Sequence, residues 1–317
     1  MIFAELTISE TAIIGLFVAT IQFATLLFLA GLGETISERA GVLNLGVEGM
    51  MAIGAVFGFI GAVESGSPWI GLLVGMIAGG LIALLHATAA VALGADQVVS
   101  GLALTMLGLG LADFIGDDYT SDPRRALFAE VDIPGLSDIR FIGDVLFSAS
   151  PVTYLAIVFG IAAWFVLNRT SIGLGLRAVG QSASTADAAG HSVVGMRMGA
   201  VVVGGALAGM SGAYLSTFVV GAWSVGVTAG RGWIAVALVI FGAWRPGRVA
   251  AGALLFGFTL ALQSRLQPFG VSFSPILVSM LPYLLTVAVL IVISNRARNQ
   301  PSPSPAGLGI AYRREER

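Results

Sequence analysis

The sequence predicts an all-α, polytopic membrane protein with about 8–9 transmembrane helices, one of them interrupted or re-entrant. Three observations predict it. Hydrophobic residues make up 56% of the chain and charged residues 11%, with a mean hydropathy of +0.93. A soluble domain of this length would carry roughly a quarter charged residues. The apolar residues fall into separate runs, most of them close to the ~20 residues that carry a helix across a bilayer. Lysine is absent, so all 16 basic residues are arginine, and they gather in a few of the connections between runs.

The runs lie at about 12–33, 42–63, 70–93, 97–116, 151–167, 197–221, 231–244, 249–265 and 275–294. The run at 231–244 is short, which makes it the re-entrant or tilted one. Orientation follows from arginine. Arg169, Arg177 and Arg197 flank the 168–197 loop, Arg245 and Arg248 mark the next turn, and Arg296, Arg298, Arg313, Arg314 and Arg317 lie in the tail. These regions share one side if nine runs alternate, so that side is expected to be the cytoplasm. The outer loop, about 118–150, carries Asp118, Asp122, Glu130, Asp132, Asp138 and Asp144, and it is expected to pack over the bundle's outer end. The N-terminus then lies outside and the C-terminus inside. Residues 1–294 read as one transmembrane domain, and 295–317, with PSPSP at 301–305, as a disordered cytoplasmic tail. No basic stretch precedes the first run, so no cleavable signal peptide is expected. Gly71, Gly75, Gly79, Gly205 and Gly209 recur at four-residue spacing, which lets helix backbones approach closely in lipid.

Several classes of chemistry are excluded. With no cysteine there are no disulfides and no thiolate sites. His86 and His191 are too far apart in sequence to suggest a metal pair. A P-loop needs a lysine on the nucleotide phosphates, so the chain is no conventional P-loop ATPase. The net charge of −2 gives no reason to expect nucleic acid.

Polar residues inside the runs are the candidates for function. Glu48 stands in an apolar, glycine-rich stretch with Asn44 four residues before it, which would place both on one face of a bent or interrupted helix. A carboxylate at mid-bilayer costs roughly 2.5–3.5 kcal/mol on insertion scales, so Glu48 should face protein or a cavity. Either it lines a path or it ties two helices together. Gln97, Ser100 and Thr105 fall on one broad helical face with Gly108, and that face either lines a cavity or packs tightly. Arg231 and Trp233 are placed at the outer end of the short run, with Arg245 and Pro246 at its inner end. The loop at 170–198 carries a predicted short helix at 182–190 containing Asp187, which needs a partner to dock against.

These stretches resemble the permease subunits of binding-protein-dependent ABC importers, in the branch that handles branched-chain amino acids, ribose-type sugars and nucleosides. They are most similar to its nucleoside and simple-sugar group. ISERAGVLNLGVEGMMAIGA (36–55), ADQVVSGLAL (95–104), IPGLSDI (133–139), GLGLRAVGQSASTADAAG (173–190) and GRGWIAVALVIFGAWRP (230–246) carry the resemblance, in order along nearly the whole chain. Thr105 stands where that group's pattern has asparagine, which bears on substrate choice, and Arg140 stands where it has proline. The resemblance implies a permease with no catalytic residue, no metal and no cofactor of its own, because ATP and Mg are bound by a partner ATPase. It implies a second permease, often a paralogue, and an extracytoplasmic solute-binding protein. Asn44, Glu48, Gln97, Ser100, Thr105 and Trp233 would lie along the translocation path. The 173–190 segment would couple to the ATPase, with Arg177, Gly180, Ala186, Asp187 and Gly190 as contact candidates. Two other classes have to be weighed. An ion-coupled secondary transporter would use Glu48 as its coupling carboxylate. An intramembrane hydrolase would need a GxGD motif or a serine with a partnering histidine, and neither is apparent.

Overall fold

The computed structural model describes residues 10–120, 126–265, 280–297 and 303–313. Among the described residues eleven α-helices follow one another: α1 Glu10–Arg39, α2 Val47–Ser65, α3 Pro68–Ala87, α4 Gln97–Gly116, α5 Pro151–Arg169, α6 Ser171–Gln181, α7 Ala183–Ala188, α8 Val193–Tyr214, α9 Arg231–Phe241, α10 Pro246–Arg265 and α11 Leu281–Ala297. Short π-helical turns extend α3 through Thr88–Ala92 and α8 through Leu215–Val219. Local chemistry sets many of the ends. Asp96, Ser150, Thr170, Ser182 and Ser192 each accept a backbone N–H at the start of α4 to α8 in turn. α3 and α5 open on a proline.

Among the described residues six helices are long and apolar enough to cross a membrane: α1, α2, α3 and α4 with their terminal turns, α5, and α8 with its turn. α9 has 11 residues, which is half a crossing. α10 has 20 but opens with Pro-Gly-Arg, and α11 has 17 described residues. The run at 275–294 begins outside the described residues, as do Arg298, Arg314 and Arg317.

At the centre, α2, α3 and α8 meet backbone to backbone. A Cβ on Gly54 would strike Gly209, one on Gly79 would lie 2.6 Å from the Cα of Gly209, and one on Gly75 would lie 2.6 Å from the carbonyl of Gly54. Glycine at this spacing lets three axes converge where a side chain would hold them apart. α1 lies along α8, where Gly33 faces Gly204, and along α10, where Gly257 faces Ala24.

Two expectations from the sequence are corrected. The run at 42–63 is not helical from its start: α2 begins at Val47, and 40–46 is a loop. Gly41, at φ 85°, turns the chain, and the Asn44 side chain accepts Gly46 N–H at 2.9 Å, a local bond that competes with helix. The tail is ordered over 303–313. There Gly307 N–H bonds Gly180 O at 2.8 Å, Ile310 O accepts from Arg197 Nη1 at 2.8 Å, and Tyr312 packs against Val179, Ala186 and Val193. A PSPSP composition says nothing of a buried guanidinium that needs an acceptor, and Arg197 is only 2% exposed.

The segment between α4 and α5 holds a two-residue antiparallel ladder, Val131–Asp132 with Ser148–Ala149. It lies on the helix ends: Phe128 N–H bonds Thr217 O, Phe128 meets Trp69 edge-on, and Arg140 pairs with Glu10. N-terminal and C-terminal segments therefore occupy opposite ends of the bundle.

Candidate functional site

The polar residues of the bundle converge on α9. From the end of α8 the chain returns inward through 220–230 without a helix and starts α9 deep in the bundle. Depth can be read from α4. Gly49 lies against Leu104, Thr105 and Gly108, which stand about 10–16 Å along α4 from its start at Gln97. Gly232 packs on the backbone of Glu48, so the amino end of α9 lies at the same level, near the middle of a ~30 Å hydrocarbon layer. Trp233 is therefore not at an outer interface. It sits in the first turn of an internal half-helix, 37% exposed. The arginine beside it is held by carbonyls, since Arg231 Nη1 donates to Val227 O at 2.8 Å and to Thr228 O, with the guanidinium over the Phe23 ring.

Glu48 caps this half-helix. Its Oε1 accepts Gly230 N–H at 2.8 Å and its Oε2 accepts Gly232 N–H at 2.6 Å, with the residue 3% exposed. The first N–H groups of a helix have no partner within it, and at this depth water cannot supply one. A carboxylate from α2 does so instead. Gly232 has to be glycine for this approach, because a Cβ there would stand 2.5 Å from the Cα of Glu48.

Asn44 does not share a helical face with Glu48. It lies in the 40–46 loop, where its N–H donates to Glu34 Oε1 at 3.0 Å and its side-chain amide to Met50 Sδ at 3.4 Å. The polar face of α4 grips the same loop. Gln97 Oε1 accepts Leu43 N–H at 2.7 Å, and Thr105 Oγ1 donates to Leu45 O at 2.8 Å. Ser100 reaches the loop through His86, whose two ring nitrogens lie 3.0 Å from Ser100 Oγ and 3.1 Å from Leu43 O. Of the two readings of that face, tight packing is the one the structure has. A cavity of about 490 Å3 lies between α1, α5 and α10, and none of the six path candidates lines it.

Sequence reasoning passed over the other end of α9. Glu34 and Glu38, one turn apart on α1, are each 1% exposed. Glu38 Oε2 accepts Trp244 Nε1–H, and Arg39 Nε donates to Trp244 O at 2.9 Å. Trp244 follows α9 in a turn where Ala243 and Trp244 both have positive φ. The signal was present, as two acids at i and i+4 in an apolar run, but it sits at the run's edge, where charges are unremarkable.

The coupling candidates are arranged differently from expectation. The short helix expected at 182–190 is present as α7, Ala183–Ala188, and α6 precedes it. Gly180 is buried, and a Cβ on it would strike Arg39 O; Ala186 is 3% exposed beside Val179 and Val193. Both hold the segment to the bundle and are not free for a partner. Arg177 and Asp187 are half-buried, and Gly190, at φ 87°, is exposed. The surface this segment turns outward is Ser184, Thr185, Ala188, Ala189 and Gly190, with Ile172 and Leu174 on α6.

Comparisons with known proteins bear on what this arrangement serves. Residues 16–290 match the family model described as branched-chain amino acid transport system / permease component. The chain is 41% identical to the putative glucose ABC transporter permease protein TsgC13 of Haloferax volcanii, over 95% of this chain and 98% of the relative. It is 37% identical to the guanosine ABC transporter permease protein NupQ of Bacillus subtilis, over 93% and 95%. A fainter likeness, 26% over 74% and 69%, joins it to a second guanosine ABC transporter permease protein of that organism, NupP. No solved structure matches the chain.

Proposed function

The chain belongs to the permease component family of branched-chain amino acid transport systems, and from that premise we propose that α9 is the moving part of its solute path. The protein is a multi-pass membrane permease subunit of a sugar or nucleoside ABC importer, a transport component and not an enzyme. It works with an ATPase subunit and a paralogous permease, a reading supported by its likeness to two different guanosine permease proteins of one organism, NupQ and NupP. The solute is a neutral, hydroxyl-rich molecule, a nucleoside or a simple sugar. A solute-binding protein delivers it to the outer end, and ATP and Mg act on the partner ATPase.

One observation carries the proposal. α9 is fastened at its amino end by Glu48 and at its carboxyl end by the Glu38–Trp244 bond, and the α1 backbone beside that bond touches Gly180 of α6. A push on α6 and α7 therefore reaches α9 through Arg39 and Trp244, a short chain of packed groups. The half-helix then tilts about its Glu48 cap and opens or closes the path on its exposed side, where Trp233 stands. Glu48 positions α9, and Asn44, Gln97, Ser100 and Thr105 fix the loop that leads into α2 just before Glu48. Arg177, Asp187 and Gly190 lie with the outward residues of α7 on the surface offered to the ATPase, while Gly180 and Ala186 transmit the push. The end bearing α6, α7, Arg169, Arg245 and Arg248 is the cytoplasmic one, by the bias of arginine to that side.

The test is uptake of labelled guanosine and glucose into vesicles carrying the permease pair and its ATPase. ATP-dependent, binding-protein-dependent uptake of one of them, lost in Glu48→Ala, is the expected result. Uptake by this chain alone, driven by an ion gradient without ATP, would refute it.

A further inference from the structure

The open-sided cavity between α1, α5 and α10 has a chemistry of its own. Its walls include Phe28, Ile157, Ile161, Trp164 and Leu254, and it exposes almost no polar atom. Two hydroxyls border it, Thr25 and Thr153, and they are bonded to each other at 3.1 Å. A hydroxyl-rich solute would find nothing to bond here. Yet next to the end marked by Trp164, Pro246 and Gly247 the chain carries three arginines. Arg169 lies over the Trp164 ring at 5.8 Å, and the exposed Arg245 and Arg248 flank Pro246 and Gly247. Arg39, half-buried, donates to the carbonyl of Trp244, the residue before Arg245. The acids nearest in sequence, Glu34 and Glu38, are turned into the bundle, bonded to Asn44 and Trp244.

We propose that this cavity holds an acyl chain of an anionic phospholipid whose phosphate lies among Arg169, Arg245 and Arg248. An apolar groove of about 490 Å3 between membrane-spanning helices is filled by whatever the bilayer offers, and its size is that of a ligand pocket, ~300–1,000 Å3. The charge at its mouth decides which lipid. Basic pockets between helices select acidic headgroups, whereas a zwitterionic headgroup gives the guanidinium cluster no net neutralisation. Charge complementarity favours lipid over a second protein, which would have to bring buried acids to the same depth. The bound lipid touches α5, which runs into α6, and α10, which follows α9, so bilayer charge bears on the two helices that flank the moving parts.

The experiment is native mass spectrometry of the permease complex released in neutral detergent, with phosphatidylglycerol and phosphatidylcholine of identical chains added in turn. Phosphatidylglycerol is expected to be retained preferentially. Arg169→Gln, Arg245→Gln and Arg248→Gln together should erase that preference, by about five-fold for each arginine. Ala156→Trp, which fills the cavity and leaves the arginines, should lower retention of both lipids. Equal retention of the two lipids by the parent complex overturns the proposal, and so does a preference unchanged in the arginine variant. Displacement by inorganic phosphate as effective as by lipid would reduce the site to a bare anion site and overturn it too. In this cysteine-free chain, Leu254→Cys should label with a lipid-soluble maleimide; cross-linking from it to the second permease would assign the groove to protein instead.

Discussion

Replacing Glu48 by alanine tests the mounting of α9 directly. The carboxylate satisfies two backbone donors, the N–H groups of Gly230 and Gly232, in a region 3% exposed. Each buried donor left without a partner costs ~1–3 kcal/mol, so losing both costs about 2–6 kcal/mol. Against a net stability of ~5–15 kcal/mol that is a large share, but it falls on one half-helix and not on the glycine-packed core. Glu48→Gln keeps one acceptor oxygen and turns an amide N–H2 toward the other donor, so about half that cost is expected, roughly 1–3 kcal/mol. The assays are thermal unfolding of the purified complex and uptake normalised to permease and ATPase content. Melting should fall in the order parent, Gln, Ala, and uptake should be lost in Ala while the ATPase still co-purifies. Uptake retained in Gln and lost in Ala assigns the role to hydrogen bonding; loss in both assigns it to charge. An alanine variant that melts and transports like the parent would refute the capping argument.

Four other outcomes follow from the geometry. Trp244→Phe keeps the ring but removes the donor to Glu38; ATP hydrolysis per solute imported should rise several-fold, and an unchanged ratio would show that the bond transmits nothing. Gly209→Leu pushes a side chain into α2 and α3, an overpacking of at least ~1–3 kcal/mol, so folded protein on size exclusion should drop sharply. Removing 303–317 takes one acceptor from buried Arg197 and the main-chain bond from Gly180; loss of ~1–3 kcal/mol of stability should appear as a lower melting temperature, with weaker ATPase pull-down. Asp138→Cys should react with an impermeant thiol reagent from outside and Ser184→Cys only in opened vesicles, and the reverse pattern would invert the orientation.

The membrane class, the order of the runs and the glycine spacing were legible because lipid imposes them on composition alone. The short run at 231–244 announced a half-helix by its length. What hid was which polar groups bond which. Asn44 reads as helical by its distance from Glu48, yet its own side chain closes a turn onto Gly46 and ends the helical option. Gln97, Ser100 and Thr105 were correctly placed on one face, but a face lining a cavity and a face gripping a loop have the same sequence. The acceptor of Arg197 is a main-chain carbonyl at Ile310, and a carbonyl leaves no mark in a sequence. Glu38 and Trp244 are 206 positions apart, so only the fold joins them.

The mid-membrane start of α9 carries one further consequence. Aligned peptide dipoles give a helix's amino end about half a positive charge, and in a low-dielectric layer such an end attracts anions strongly. An anionic solute passing α9 would otherwise be held there. Glu48 already occupies that end, its two carboxyl oxygens taking the N–H groups of Gly230 and Gly232, so those donors are not open to a passing anion. On the proposed path a neutral sugar or nucleoside loses nothing by this, whereas a phosphorylated one finds the anion-binding end of α9 already taken.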